Sequence, residues 1–274
     1  MIPLEDNATD ILGKAQRGLG LSDSQLAAKA GLDANRVRAL REGEQDDDAI
    51  NAVAPVLGLD AASLIKLARK AWVPEEIAPI EGLAQFNTEY GDMTVNAYMI
   101  WDPVSREAVA FDTGADCGPM LALMKSEGLQ VKLILLTHSH PDHVADLERL
   151  RKETGAPVYL SMRESAHGAE AIEEGKRFEC GSLRIESRLT SGHSAGGMTF
   201  VVQGPTRSIA VVGDSLFAAS MGGGAVSYQD ALRNNLEKIL TLPEETIVCP
   251  GHGPLTTVGK EKRENPFFAG KASK

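Results

Sequence analysis

The sequence predicts a layered α/β domain preceded by a small all-α domain, and two observations support this division. The first 72 residues are helical in pattern and contain no strand-like run. Further along the chain, four apolar runs of strand length each end close to a histidine or an aspartate. We therefore predict a helical domain over residues 1–72, a linker over 73–80 that contains Pro74 and Pro79, and a larger domain over 81–274.

Capping residues define the helices of the first domain. Ser22 is a typical N-cap and Gly31 a typical helix stop, so a helix is predicted between them. Three more helices are predicted over Ala34–Glu42, Ala49–Leu57 and Ala61–Ala71. This arrangement, from about residue 8 to 70, resembles the lambda-repressor-like (XRE) helix-turn-helix family.

The resemblance implies a DNA-binding module, but the charge of this region argues against it. Arg36, Arg38 and Arg41 lie on the would-be recognition helix, which favours DNA binding. However, the first 72 residues carry 9 Lys or Arg and 11 Asp or Glu, a net charge of −2. A phosphate-binding surface should be basic. We therefore favour dimerisation or covering of a site, expect a homodimer, and keep DNA binding as an alternative.

Each of the four strand-like runs of the larger domain is followed by a histidine or an aspartate. Val131–Leu136 leads to His138, Leu183–Leu189 to His193, Ser208–Val212 to Asp214, and Thr246–Cys249 to His252. In a layered α/β fold, residues beyond the carboxyl ends of neighbouring strands gather along one edge. Glycines stand beside three of these residues, as suits tight turns and close backbone approach.

The densest group of candidate ligands is the run Thr137-His138-Ser139-His140-Pro141-Asp142-His143. It holds three of only 6 histidines in 274 residues. Neutral imidazoles and carboxylates are the ligands that a borderline divalent metal prefers. The remaining histidine outside the strand ends, His167, lies in a polar stretch and is interpreted as a surface residue.

Taken together, these residues resemble the metallo-β-lactamase superfamily over roughly residues 80–268, which implies a four-layer αβ/βα sandwich. By this resemblance, one metal would be held by His138, His140 and His193, a second by Asp142, His143 and His252, and Asp214 would bridge the two. Asp112 matches a further family position, either as a partner of the ligands or as a turn aspartate.

The resemblance implies a metal-dependent hydrolase in which a metal-bound hydroxide attacks an activated ester. Asp142 would orient the attacking water or carry its proton. The metal would be zinc or iron, or else manganese, with two divalent ions in each chain. No serine or cysteine nucleophile would be needed.

The C-terminal segment Cys249–Thr257, with Glu261 and Asn265-Pro266-Phe267, is similar to the short bacterial form of the glyoxalase II branch. That branch hydrolyses S-acylglutathione thioesters, so the expected small-molecule substrate is a glutathione thioester. Three basic residues could meet glutathione carboxylates or could simply lie on a surface helix: Lys260, Lys262 and Arg263.

The chain departs from the glyoxalase II pattern at two places. Val144-Ala145 stands where the branch has paired small residues, often glycines, and the stretch 221–225 lacks the usual arginine. Two alternatives therefore stay open. One is a persulfide dioxygenase-like enzyme with a single iron on His138, His193 and Asp214. The other is a DNA-binding regulator that uses the larger domain as a sensor.

Composition predicts a cytoplasmic protein that does not enter the membrane. No apolar stretch approaches the roughly 20 residues of a membrane helix, and the N-terminus lacks the features of a signal peptide. The three cysteines, Cys117, Cys180 and Cys249, are odd in number and widely spaced, which fits a reducing compartment. Cys249 is either near the metals or, as we favour, a small buried strand residue.

Overall fold

The computed structural model of the protein describes residues 2–72, 74–204 and 207–271. Five helices form the first part, and two six-stranded β-sheets with helices on their outer faces form the second. Of the predicted linker, Val73 lies outside the described residues, and residues 74–80 have no regular secondary structure.

Of the five helices of the first part, the last four lie close to the predicted positions, and the first was not predicted as a separate helix. Asp46 caps the fourth helix by accepting a hydrogen bond from the Ala49 amide at 2.9 Å, so this helix starts two residues earlier than predicted. The third and fifth helices end one and three residues earlier than predicted. The five helices are α1 (Ala8–Gly18), α2 (Asp23–Ala30), α3 (Ala34–Arg41), α4 (Asp47–Leu57) and α5 (Ala61–Ala68).

The caps predicted for α2 are confirmed. Ser22 and Gln25 form a reciprocal capping box, in which each side chain accepts a hydrogen bond from the backbone amide of the other. Gly31 ends the helix in the left-handed conformation, with φ at 68°.

The first sheet is mixed and follows the chain order. Its first three strands are antiparallel neighbours, and the remaining pairs are parallel. The strands are β1 (Leu83–Tyr90), β2 (Met93–Trp101), β3 (Glu107–Phe111), β4 (Gln130–Leu135), β5 (Val158–Ser161) and β6 (Ala169–Ile172).

The second sheet carries three of the four predicted strand runs. Its strands are β7 (Arg177–Cys180), β8 (Leu183–Leu189), β9 (Met198–Gln203), β10 (Ser208–Gly213), β11 (Ile247–Pro250) and β12 (Thr256–Thr257). β9 is antiparallel to both β8 and β10, and β10 is parallel to β11. The strands β8, β10 and β11 therefore run in the same direction and end at one edge.

The two sheets pack face to face, and alternate residues of a central strand point to different layers. In β10, Ile209 and Val211 join the core between the sheets, whereas Ala210 and Val212 face the outer helical layer. Phe111 and Phe200 meet between the sheets, with ring centroids 5.8 Å apart. Burial on both faces explains why these strands appear in the sequence as continuous apolar runs.

Helices cover both outer faces and complete the four layers. The first sheet is covered by α6 (Gly118–Glu127) and α8 (Leu147–Thr154), through residues such as Met120 and Leu150. The second sheet is covered by α9 (Tyr228–Asn234), a π-helical turn (Asn235–Ile239) and residues of α10 (Val258–Glu264). A short helix, α7 (Pro141–Val144), lies within the histidine-rich run.

The N-terminal helices share one apolar core with this outer layer. Buried residues of the helical region, among them Ile11 and Leu64, belong to the same cluster as Val212, Phe267 and Phe268. Phe267 and Phe268 are completely buried. The helical region is therefore packed onto the sandwich through apolar contacts and does not rely on the linker for its attachment.

The described residues contain no helix with the length and apolar character required to cross a bilayer. The three cysteines are free and buried. Cys249 lies in the core between the sheets, which agrees with the favoured interpretation of a buried strand residue.

A buried carboxylate joins α10 to the loop that follows β10. Glu261 accepts hydrogen bonds from the Thr256 hydroxyl at 2.7 Å, the Asn265 amide at 2.7 Å and the backbone amide of Ala219 at 3.0 Å. Burial raises the pKa of Glu261 to about 7, because these hydrogen bonds only partly offset the loss of solvation.

We predict that Glu261 makes the folded state less stable as pH rises. Between the ordinary pKa of 4.5 and about 7, the folded protein keeps a proton that the unfolded chain has released. A Glu261→Gln variant removes this effect, and the Thr256 hydroxyl can reverse to accept from the new amide. From about pH 5 to about pH 8, the free energy of unfolding should fall by about 3 kcal/mol more in the wild type than in the variant.

Chemical denaturation of both proteins at the two pH values measures this difference. Glu153→Gln, an exposed position on α8, is the matched control and should behave as the wild type. If the free energy of unfolding changed by the same amount between the two pH values in the wild type and in Glu261→Gln, the prediction would be wrong.

Candidate metal centre

The seven predicted ligands come together at the edge where β4, β8, β10 and β11 end. His138 and His140 follow β4, and α7 carries Asp142 and His143. The other three residues follow the strands of the second sheet: His193 after β8, Asp214 after β10 and His252 after β11. The predicted gathering of these side chains along one edge is therefore present in the structure.

Their ligand atoms form two groups, each with all atoms within 4.8 Å of one another. The first group consists of His138, His140, His193 and Asp214, and the second of Asp142, His143 and His252. Asp214 also faces the second group, because its carboxylate oxygens lie 3.3 Å from His143 Nε2 and 3.4 Å from His252 Nε2. The arrangement is consistent with a binuclear metal site.

The spacing within the first group suits a divalent ion. His140 Nδ1 is 3.0 Å from the Nε2 atoms of both His138 and His193, and Asp214 Oδ2 is 3.3 Å from His193 Nε2. Bonds of about 2.0–2.1 Å at tetrahedral angles would separate donor atoms by about 3.3 Å. The second group is similar, with Asp142 Oδ2 at 3.6 Å from His143 Nε2 and 3.4 Å from His252 Nε2.

Two buried atoms of the site lack hydrogen-bond partners among the described residues, namely His143 Nε2 and Asp214 Oδ1. Buried polar atoms are almost always paired, and an unpaired one is costly. These two atoms face each other at 3.3 Å. A bound cation would satisfy both, so the donor set fits a metal.

Three histidines of the site are each oriented by a partner on the nitrogen that faces away from it. The Nδ1–H of His143 donates to Asp112 at 2.8 Å, that of His252 to the Thr94 carbonyl at 2.6 Å, and that of His193 to the Gly223 carbonyl at 3.1 Å. These contacts direct the Nε2 atom of each ring into the site, where it can bind a metal ion.

Asp112 supports both groups at once. It accepts from His143 directly, and it accepts from the Thr137 hydroxyl at 2.8 Å, which in turn lies 3.0 Å from His138 Nδ1. Thr137 also donates its backbone amide to Asp112 at 2.7 Å. Of the two interpretations of Asp112, the structure favours the ligand partner over the turn aspartate.

The electrostatics of the two groups differ. Burial lowers the pKa of His138 well below its usual value, and burial likewise lowers the pKa of His193. Burial also acts to lower the pKa of His143, but Asp214 and Asp112 outweigh it and raise that pKa to about 10. In His252, Asp142 and Asp214 outweigh burial and raise the pKa to about 11. The carboxylates thus attract positive charge to the second group, and a divalent cation would supply it.

The backbone at residue 251 passes so close to the Asp214 carboxylate that only glycine fits there. A Cβ atom on Gly251 would lie 2.1 Å from Asp214 Oδ1 and 2.7 Å from His143 Cε1. Asn96 and Tyr98 of β2 hold this loop, because their side chains donate to the Pro250 carbonyl at 2.9 and 2.7 Å. The predicted role of glycine beside a ligand is confirmed here.

Glu164 joins two of the loops that carry the first group, a role that no local pattern around it predicts. Its carboxylate accepts from the Ser139 hydroxyl and from the Gly196 amide, the latter at 2.8 Å. Ser139 lies between His138 and His140, and Gly196 follows His193. His167, in the same polar stretch, is 85% exposed, as predicted for a surface histidine, and it pairs with Glu148.

The chain matches the family model described as the metallo-beta-lactamase superfamily over residues 90–252, more than half of its length. It belongs to this superfamily. The match starts after the five N-terminal helices.

Two curated relatives are similar along nearly their whole length. The chain is 32% identical over 206 residues to the probable metallo-hydrolase YqgX of Bacillus subtilis (strain 168), covering 66% of this chain and 95% of that protein. It is 26% identical over 202 residues to the hydroxyacylglutathione hydrolase GloC of Haemophilus influenzae, covering 65% and 94%.

Two solved structures show the same fold. The BLEG-1 B3 metallo-beta-lactamase matches with a TM-score of 0.60 and 32% identity, covering 68% of this chain and 100% of that one. TTHA1623 in a di-iron-bound form matches with a TM-score of 0.56 and 31% identity, covering 67% and 100%.

We predict that Asp112→Ala and Asp112→Asn both weaken metal binding by about 10- to 100-fold, the usual effect of losing the partner of a ligating histidine. Asparagine cannot replace the aspartate, because its NH2 group would face either the Thr137 backbone N–H or the His143 Nδ1–H, and both of these are donors. Metal content after dialysis against a chelator measures the effect.

The matched control is Asp116→Asn, since Asp116 is 58% exposed and pairs with Arg149 on the surface. It should retain wild-type metal content. Full metal content in Asp112→Asn would show that the carboxylate charge is dispensable.

Proposed function

We propose that the protein is a hydrolase that uses two divalent metal ions. His138, His140 and His193 would hold the first ion, Asp142, His143 and His252 would hold the second, and Asp214 would contribute to both. The observation that carries this proposal is the pair of ligand groups around Asp214. The similarity to a probable metallo-hydrolase and to a structure in a di-iron-bound form supports it.

When bound, the metals would lower the pKa of a water and polarise the substrate carbonyl. Residues of the chain would orient the attacking water and leave one side of the site open to substrate. One oxygen of Asp142 faces His143 and His252, so the other is left to accept a hydrogen bond from the attacking water and to take its proton. His193 is 20% exposed and His140 is half-buried, so substrate approaches from their side of the site.

A cysteine nucleophile is a poor alternative for this chemistry. Burial raises the pKa of Cys117 and of Cys180 to about 12, and it raises the pKa of Cys249 further. A thiol that does not ionise is a weak nucleophile. We therefore propose water as the attacking group.

The substrate we propose is an activated thioester, with S-acylglutathione as the first candidate. The similarity to a hydroxyacylglutathione hydrolase and the segment around His252 support it. The basic residues of α10 do not add to this support, because Lys260 pairs with Glu75 at 3.2 Å and Arg263 with Glu244 at 2.9 Å. They behave as residues of a surface helix.

Metal content distinguishes this function from the iron-dioxygenase alternative. A single iron would need only His138, His193 and Asp214 as ligands, and it would leave the second group without a metal. Protein purified without added metal or chelator should contain close to two ions per chain. A single iron per chain, with oxygen consumption in the presence of a persulfide, would support the alternative instead.

We predict that His138→Ala and Asp214→Ala each reduce hydrolysis of S-lactoylglutathione by more than about 100-fold, because even the loss of a ligand's partner costs 10- to 100-fold. Steady-state kinetics of the thioester measures the loss. His167→Ala is the matched control, since this sixth histidine is exposed and outside both groups.

Wild-type rates in either ligand variant would refute the assignment of the site. Inactive wild-type protein that nevertheless holds two ions would refute only the choice of substrate, and other thioesters and esters would then be screened.

For the N-terminal helices, we propose a role at the metal site in preference to DNA binding. Arg36 pairs with Asp46 at 2.6 Å, and Arg41 donates to Gln16 at 2.7 Å, so both are engaged within the helical region. Arg38 is exposed and has no ion pair among the described residues. Of the three arginines of α3, only Arg38 is therefore left to contact DNA phosphates, and the surrounding region has a net negative charge.

We predict no shift of a random duplex DNA at micromolar protein and low salt, where electrostatic binding is strongest. An electrophoretic mobility assay tests this, with Arg38→Ala as the companion variant. A shift in the wild type that disappears in Arg38→Ala would support the regulator alternative.

A further inference from the structure

The segment before α1 runs across the loop that carries His252. The backbone amide of Glu5 lies so close to Gly253 that a Cβ atom there would be 3.2 Å from it. Glu5 lies outside the part of the chain that matches the superfamily model, which begins at residue 90. Residues from the helical region therefore reach the ligand loops of the sandwich.

Two nearly buried charges fix this segment in place. Asp6 is 7% exposed and accepts from the Ser220 hydroxyl at 2.6 Å and from Lys14 of α1. Lys14 also donates to the Met221 carbonyl at 2.9 Å and lies 5.0 Å from the centre of the Phe217 ring. These contacts join the N-terminal segment to the loop that follows Asp214.

The same loop packs against a metal-group histidine. The ring of Phe217 meets the ring of His252 edge to face, with centroids 5.7 Å apart and planes at 90°. His252 is thus enclosed by Phe217 on one side and by the N-terminal segment on another.

Within this arrangement, Glu5 places a carboxylate behind His252. Its Oε2 lies 4.0 Å from His252 Nδ1, on the side of the ring opposite the Nε2 atom that faces Asp142 and Asp214. The Glu5 side chain is 29% exposed and His252 is 5% exposed, so solvent screens the pair only partly. The position resembles that of Asp112, which contacts His143 Nδ1 at 2.8 Å.

We propose that Glu5 is a positioning residue for the second metal group, supplied by the N-terminal segment. Its negative charge favours the partial positive charge that His252 acquires when Nε2 binds a cation, so it strengthens His252 as a ligand. Both histidines of that group then have a carboxylate on the Nδ1 side. This inference rests on the binuclear site of the proposed function but not on the identity of the substrate.

The test is a titration of metal-free protein with Co²⁺, followed by visible absorption, together with competition for Zn²⁺ by a chelator. Glu5→Gln keeps the shape of the side chain and removes its charge. We expect the affinity for the second ion to fall about 10-fold, the lower end of the usual range, because the contact is longer than a direct hydrogen bond. The affinity for the first ion should not change.

Two further variants separate charge from packing. Glu5→Asp keeps the charge one methylene further from His252, so its second-ion affinity should lie between those of wild type and Glu5→Gln. Glu44→Gln, at an exposed position of the same helical region, is the matched control and should bind both ions as the wild type does.

Three results would overturn the inference. Tight binding of two ions by Glu5→Gln would show that the charge has no role. A loss in Glu5→Asp that is absent in Glu5→Gln would point to packing alone. Wild-type protein that takes up only one ion would overturn both this inference and the binuclear site, whereas failure on a particular thioester affects neither.

Discussion

The buried carboxylate of Asp214 faces imidazoles from three separate segments of the chain, and the rest of the site depends on how those segments are held around it. Its oxygens lie 3.3 Å from His193 and His143 and 3.4 Å from His252. Such a concentration of ligand atoms cannot be stabilised by packing alone, because buried charges require partners. The surrounding structure supplies them through hydrogen bonds that point each ring inward.

Much of the fold and the ligand set could be predicted from the sequence, because local patterns encode them. The apolar runs that end at Asp214 and His252 proved to be neighbouring parallel strands. The run 137–143 holds three of the 6 histidines of the chain, a concentration that chance rarely produces. Four of the five N-terminal helices were predicted from their caps, and α1 was not. The start of α4 moved by two residues because Asp46 caps it, and the ends of α3 and α5 moved by one and three residues.

The supporting contacts could not be predicted, because they join residues that are distant in sequence and belong to no motif. Glu164 reaches Ser139 and Gly196, and Thr94 offers only a backbone carbonyl to His252. Nothing in the sequence around Glu5 indicates that its side chain lies beside a histidine almost 250 residues away. Contacts of this kind depend on how whole layers dock, which local propensity does not determine.

The shared core between the N-terminal helices and the second sheet has a practical consequence. A shortened protein that began at residue 81 would leave apolar side chains such as Val212, Leu216 and Phe268 without their covering layer. Large uncovered apolar patches promote association. Poor solubility of such a fragment would therefore reflect a missing part of its own interior, and the sandwich of this chain is best expressed and studied together with its helices.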